Sequence, residues 1–311
     1  MRFRFTVICL WVIGSQQAAA QGFDYSADRE PALRGCDQYF YRGEKLDADR
    51  CYLGLLANSD DAVVRAEAAW REGDLTAANA YFRTAVELAP ESPRARTRWG
   101  RLFLTTHQNS EAIKLFQEAL ELDGEYIPAK MGLASVAAGR FEDRARALVG
   151  EVLEADSSQI EAQLLLARMS LEDGALVRAE EALTAGLQIA EEYDLPPLEV
   201  YALSASVDLL KGITESAWTE RALAYNPGFG EIYATPAHFY VITRRYREAI
   251  ELLFKAVHIQ PDLWSAHAEL GVNLLRENRV EEAQEHLSLA YQGDPYSAQI
   301  VNTLRLIDSF D

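Results

Sequence analysis

No apolar run in this sequence reaches the roughly 20 residues that a bilayer-spanning helix needs, and no histidine is followed by glutamate. The second absence removes a His-Glu-x-x-His zinc helix from the chain. The five histidines are His107, His238, His258, His267 and His286. The nearest approaches to a ligand pair are Glu282 with His286, one helical turn apart, and His258 with His267 across a proline boundary. Zinc needs three or four convergent ligands with supporting hydrogen bonds, so no metal and no cofactor is expected, and these histidines read as packing or solvated groups. There is no glycine-rich phosphate loop, and no Ser/His/Asp or Cys/His set can be placed. The chain therefore reads as non-catalytic.

Basic residues are scarce, with 30 Lys and Arg against 48 Asp and Glu. Nucleic-acid binding rests on neutralising phosphates with Lys and Arg, which excludes nucleic acid as a partner. Cysteine is scarcer still, at three. Cys9 falls in a leader-like stretch: residues 1–20 carry Arg2 and Arg4, no acid, an apolar run from Thr6 to Gly14 and a closing Ala18-Ala19-Ala20. That pattern predicts a secretory signal peptide cut after Ala20, and hence a periplasmic or secreted product without a membrane-spanning segment. Cys9 lacks the small-residue context of a lipoprotein site. Removal of Arg2 and Arg4 takes the basic count down by two from 30, against 48 acids, to a formal charge of −20. In an oxidising compartment the remaining Cys36 and Cys51 are expected to pair. Their spacing is not that of a redox or haem motif.

What is present is enough apolar material for a core, 49% of residues, arranged with a long period. Pro227, Pro261 and Pro295 lie 34 apart, each behind a helix-forming run, and a period of 34 is that of stacked helical hairpins. In the unit ending at Pro261, small Ala237, Ala249 and Ala256 fall where antiparallel helices would cross, with Tyr233, Tyr240, Tyr246 and Leu253 between them. The next unit offers Gly271, Ala283 and Ala290, with Leu270, Leu274 and Leu287. Small residues let helix axes approach while large neighbours fill the space. Proline ends each unit by lacking an amide hydrogen and restricting its predecessor.

These positions resemble the tetratricopeptide-repeat family. The resemblance implies an all-α, right-handed superhelical solenoid of antiparallel helix pairs, about seven repeats plus a C-terminal docking helix. The units fall at about 59–92, 93–126, 127–158, 159–195, 196–229, 230–263 and 264–297. The first keeps Ala66, Gly73, Ala78, Phe82 and Ala85, and the second Trp99, Gly100, Phe103, Ala112, Phe116 and Ala119. Three middle units depart from the pattern. The third is two residues short before Phe141, the fourth keeps Ala167, Gly174, Ala179 and Leu183, and in the fifth Ala217 and Ala222 stand too close for the usual register. Residues 21–58 read as a degenerate helical hairpin turning near Gly43 and holding the Cys36–Cys51 bridge. Residues 298–311 place Ile300, Leu304, Ile307 and Phe310 on one face of a docking helix.

The stretches Ala237–Tyr246 and Gly293–Asp308 also resemble the repeat region of exported bacterial proteins that carry a peptidase-MA-like metallopeptidase domain. That resemblance implies a non-catalytic repeat half, docking to or feeding a catalytic domain beyond Asp311.

Arg94, Arg96, Arg98 and Arg101 crowd one short stretch of an acidic chain. By the repeat resemblance, Arg94, Thr97, Arg98 and Arg101 face the concave groove, where guanidinium groups would hold an acidic segment or a free carboxyl terminus. The bland alternative is a solvated face neutralised by acids such as Glu67, Glu87 and Glu91. In the sixth and seventh units the equivalent surface is Glu231, Ala234, His238, Val241, Ser265, Ala268, Val272 and Leu275, suited to apolar side chains. Pro236 predicts a kink, unless its helix starts near Thr235. The function expected is a scaffold that binds a polypeptide in a concave groove.

Overall fold

A computed structural model describes residues 24–26, 28–139 and 142–308. The expected leader with Cys9, and Phe141 and Phe310, lie outside the described residues. Among the described residues there are seventeen helices and no strand: the chain is an all-α helical repeat solenoid.

The helices run as antiparallel pairs. The first is α1 (Pro31–Tyr41) with α2 (Lys45–Asn58), turning at Gly43 in the left-handed region and joined by the Cys36–Cys51 disulfide. Then come α3 (Ala62–Arg71) with α4 (Leu75–Leu88), α5 (Pro93–Thr105) with α6 (Asn109–Leu122), and α7 (Ile127–Ala138) with α8 (Glu142–Ala155). They are followed by α9 (Ile160–Glu172) with α10 (Leu176–Glu192), and α11 (Leu198–Leu210) with α12 (Ala217–Tyr225). Last are α13 (Glu231–Ile242) with α14 (Tyr246–Ile259), α15 (Trp264–Arg276) with α16 (Val280–Gly293), and a single α17 (Ala298–Asp308).

Local chemistry sets the starts. Asp61, Asp74, Ser92 and Ser216 each accept amide hydrogens of the helix that follows, satisfying donors that have no partner within the first turn. Within pairs the chain reverses through a left-handed residue: Gly73 in one pair, but His107, Arg244 and Asn278 in others.

The crossings are made by small residues. Ala66, Ala78, Ala112, Ala119, Ala167, Ala179, Ala237, Ala249, Ala256, Ala283 and Ala290 are fully buried. The aromatic ring of Phe116 lies between two glycines: a Cβ on Gly100 or on Gly132 would sit 2.6 Å from it. The pair α11/α12 is the irregular one. Its α12 has nine residues, Ala217 is exposed, and Ala222 alone of the two alanines is buried. So short a helix leaves α11 in direct contact with α13. Pro236 sits inside α13 and is buried. The helix begins at Glu231 and not near Thr235, so the Ile232 carbonyl is left without the amide donor that any other residue at 236 would offer.

The solenoid winds until its ends meet. Tyr25 and Tyr41 from the N-terminal part share one core with Ile160, Leu198, Phe229 and Ile232. Lys45 bridges to Asp262 at 2.7 Å, and His107, in the α5–α6 turn, meets Asp294 after α16 at 2.8 Å. At the other end Ile300 and Ile307 of α17 are buried, and α17 covers α16.

Candidate functional site: the concave groove

The arginine face lies inside the solenoid, and this chain's own residues 24–30 fill it. Of the segment before Pro31, the described residues 24–26 and 28–30 are not helical, a departure from a hairpin running over the whole of 21–58. It crosses the groove against α5. Glu30 lies 3.5 Å from Arg94, Asp28 lies 3.5 Å from Arg98, and Asp24 pairs with Arg98 and, at 3.3 Å, with Arg101. Tyr126 donates to Asp28 at 2.6 Å, and Tyr25 donates across the solenoid to the Pro196 carbonyl at 2.6 Å. Arg29 turns the other way, forking onto Asp37 with two bonds of 2.8 Å and pairing with Glu67. Tyr52 also donates to Asp37.

Arg94, Thr97, Arg98 and Arg101 therefore do not stand free for a partner, because this chain's own acids occupy the arginines. Thr97 and Arg98 are buried, at 0% and 1% exposure. Arg98 also pairs with Glu67, Arg101 forks onto Glu161 at 2.9 and 3.0 Å, and Arg94 meets Asp61 at 2.9 Å. Of the acids expected to neutralise the face, Glu67 does so, whereas Glu87 and Glu91 are exposed. Asp24, Asp28 and Glu30 were not foreseen. A cluster of acids upstream of the first helix is the only signal that could have marked them.

Burial alone would raise the Asp24 carboxyl, but Arg98, Arg101 and Arg29 outweigh it and hold the group well below the usual carboxylate range. Asp37 follows the same logic: burial opposes, and Arg29 and Arg71 prevail. The charged pairs are thus compatible with burial because each charge has an opposite neighbour.

The other half of the groove is open. A cavity of about 580 Å³ lies between the first two repeat pairs and the last two. One wall is His238, Val241, Ser265, Ala268 and Val272; the other is Trp70, Leu75, Leu104, Thr105 and His107; Tyr296 and Ile300 close the end. His238 bonds to Glu269 at 3.1 Å, and this bond raises the imidazole above its ordinary value in spite of partial burial. Leu275 lies outside the cavity, against the α13–α15 core. Glu231 lines a separate cavity of about 340 Å³ with Tyr41, Arg42 and Lys45, and burial pushes its carboxyl up.

Among the described residues no group of three His, Cys, Asp or Glu could hold a metal ion. The histidine pair brought together is His267 with His286, Nδ1 to Nδ1 at 2.9 Å, and neither pairing singled out in the sequence. Glu282 pairs with Arg279, and His258 is exposed. No helix of the described residues is long and apolar enough to cross a membrane.

The left-handed reversal at Gly73 and the crossings through Ala66, Ala78, Ala85, Gly100, Ala112 and Ala119 all fall in one stretch of sequence. Residues 63–127 match the tetratricopeptide repeat family. No curated protein matches the chain. Among solved structures, a chain of the APC/C hetero-tetramer Cut9-Hcn1 is similar with a TM-score of 0.57 at 19% identity, covering 94% of this chain and 57% of that one. This chain thus spans little more than half the length of that relative. A tetratricopeptide repeat protein from Parabacteroides merdae is similar with a TM-score of 0.52 at 16% identity, covering 80% of this chain and 98% of that one. At such identities the likeness speaks for the fold alone. Tetratricopeptide repeats generally serve as scaffolds for protein interaction, and the groove geometry above is the feature that such a role uses.

Proposed function

We propose that the protein is an exported scaffold that captures a polypeptide in the cavity between its first two and last two repeats. The observation that carries this reading is the cavity itself. It is concave, mostly apolar through Val241, Ala268, Val272, Leu75 and Leu104, and provided with a few polar groups, His238 and Glu269 among them, that could fix a backbone or side chain. An extended segment with two or three apolar side chains suits it, while the arginine half is already filled. Export is supported by the leader-like residues 1–20 and by the Cys36–Cys51 disulfide, a bond that persists in oxidising compartments.

The test is peptide selection from a display library on the chain lacking residues 1–20, followed by affinity measurement on Val272→Trp and Ala268→Trp, which fill the cavity. Selected peptides should carry apolar residues and weaken by about tenfold or more, or 1.4 kcal/mol. Unchanged affinity in folded variants places the site elsewhere. The peptidase-MA resemblance supports a narrower version, in which the cavity receives substrate for a catalytic domain. A reading frame that continues past Asp311 into a His-Glu-x-x-His segment is its test, and a stop codon there ends it.

A further inference from the structure

We propose that the arginine row of α5 is a binding site for an acidic polypeptide segment, and that residues 24–30 are its resident intramolecular ligand.

The segment meets the repeats as a bound peptide would. It runs antiparallel to α5, and its acids step along successive helical turns, Glu30 at Arg94, Asp28 at Arg98, and Asp24 at Arg98 and Arg101. Its attachments are largely made by side chains. Among its described residues the Arg29 amide donates to the Ser26 carbonyl at 3.0 Å, and none of them lies in a helix or strand. The pattern recognised by the row is therefore three acids, at the positions of Asp24, Asp28 and Glu30, while Arg29 points away onto Asp37 and Glu67.

The groove also offers more donors than the resident uses. Arg101 Nε and the buried Thr97 hydroxyl have no hydrogen-bond partner, and Arg98 Nη1 meets Asp28 only at an ion-pair distance of 3.5 Å. Buried polar groups left without partners are costly. A segment with a further carboxylate or carbonyl at this point satisfies them better than residues 24–30 do, which is how a partner can displace a ligand that is tethered. The tether gives the resident an effective concentration on the order of millimolar. A free peptide of the same sequence therefore competes poorly against the intact chain, and a chain with a weakened resident is the informative host.

The experiment uses the full chain and a labelled peptide of residues 22–30. The wild-type chain should bind it only near millimolar concentration. The Asp24→Asn/Asp28→Asn double variant should bind it at least about tenfold more tightly, and a peptide carrying the same two substitutions should not bind the variant. A folded variant with wild-type affinity overturns the proposal, as does equal binding of the substituted peptide. Hydrogen exchange on the wild-type chain decides the matter without any variant. A resident ligand opens locally, so the Arg29 amide should exchange well before the α5 core amides. Exchange of Arg29 together with those amides, in one global event, shows a structural core segment and overturns the proposal.

Discussion

Arg98 of α5 and Glu67 of α3 form an ion pair with each side chain 1% exposed. The same guanidinium reaches Asp24 and Asp28, and the same carboxylate reaches Arg29. Two repeat pairs and the N-terminal segment are therefore joined through one buried charge network. Each charge in it has an opposite neighbour, and a buried charge that loses its partner keeps its desolvation cost.

Arg98→Met should accordingly destabilise the protein by about 3–5 kcal/mol, at the lower end because Arg29 still neutralises Glu67. Urea unfolding checks this. A loss below about 1 kcal/mol, as for an exposed pair, would contradict the burial assigned to the network.

Asp24 and Asp37 have native pKa values held below the ordinary range. A depressed carboxylate contributes stability that is present in full above its unfolded value, near 4, and lost as pH falls through the native value. The contacts of the 24–30 segment should thus persist at pH 4 and fail only in stronger acid. Hydrogen exchange at the Arg29 amide across that range reads the loss directly.

Glu231 behaves in the opposite sense, since burial raises its native value, with Arg168 only partly opposing. The charged form is the penalised one, and the penalty vanishes as pH falls through the raised native value. Glu231→Gln should therefore raise the melting temperature at pH 7 and make little difference in acid. Equal effects at both pH values would show that the gain has another source.

The Phe116 ring is held between Gly100 and Gly132, with a Cβ on either placed 2.6 Å from it. Alanine is the better helix former by about 1 kcal/mol, but overpacking a filled core costs about 1–3 kcal/mol. The ring cannot yield away from one glycine without meeting the other. Gly100→Ala should therefore be a net loss in thermal or urea unfolding, and a stabilised variant would show that the crossing has room.

His267 donates from Nε2 to the Pro261 carbonyl at 3.1 Å, so its Nδ1 is the acceptor facing His286 Nδ1. Burial lowers both imidazoles, and the neighbouring His286 lowers His267 further, against the pull of Glu285. A histidine lowered in the native state loses its stabilising contribution as pH falls below the unfolded value, near 6.5. Both rings should titrate below that value by NMR. Exchange in α15 and α16 should quicken over the same range.

The elements legible from residues alone were those governed by local spacing. Ala237, Ala249, Ala256, Gly271, Ala283 and Ala290 mark helix crossings because a small side chain is needed wherever two axes approach, and that need recurs along the chain with the repeat. Cys36 and Cys51 could be paired because no other cysteine follows the leader-like stretch. His238, Val241 and Val272 fell on one wall of the cavity for the same periodic reason. The facing wall, Trp70, Leu75, Leu104 and His107, belongs to distant repeats and adjoins it only after the solenoid has wound round. The arginine row was equally visible, but not its occupant. Asp24 and Arg98 are 74 positions apart, and nothing periodic connects a short acidic segment to a helix in another repeat. Repeat spacing thus determined which helices form and how neighbours touch. Only the accumulated curvature of the whole array decided what its interior contains, because curvature is a sum over every crossing and each crossing is blind to the far end of the chain.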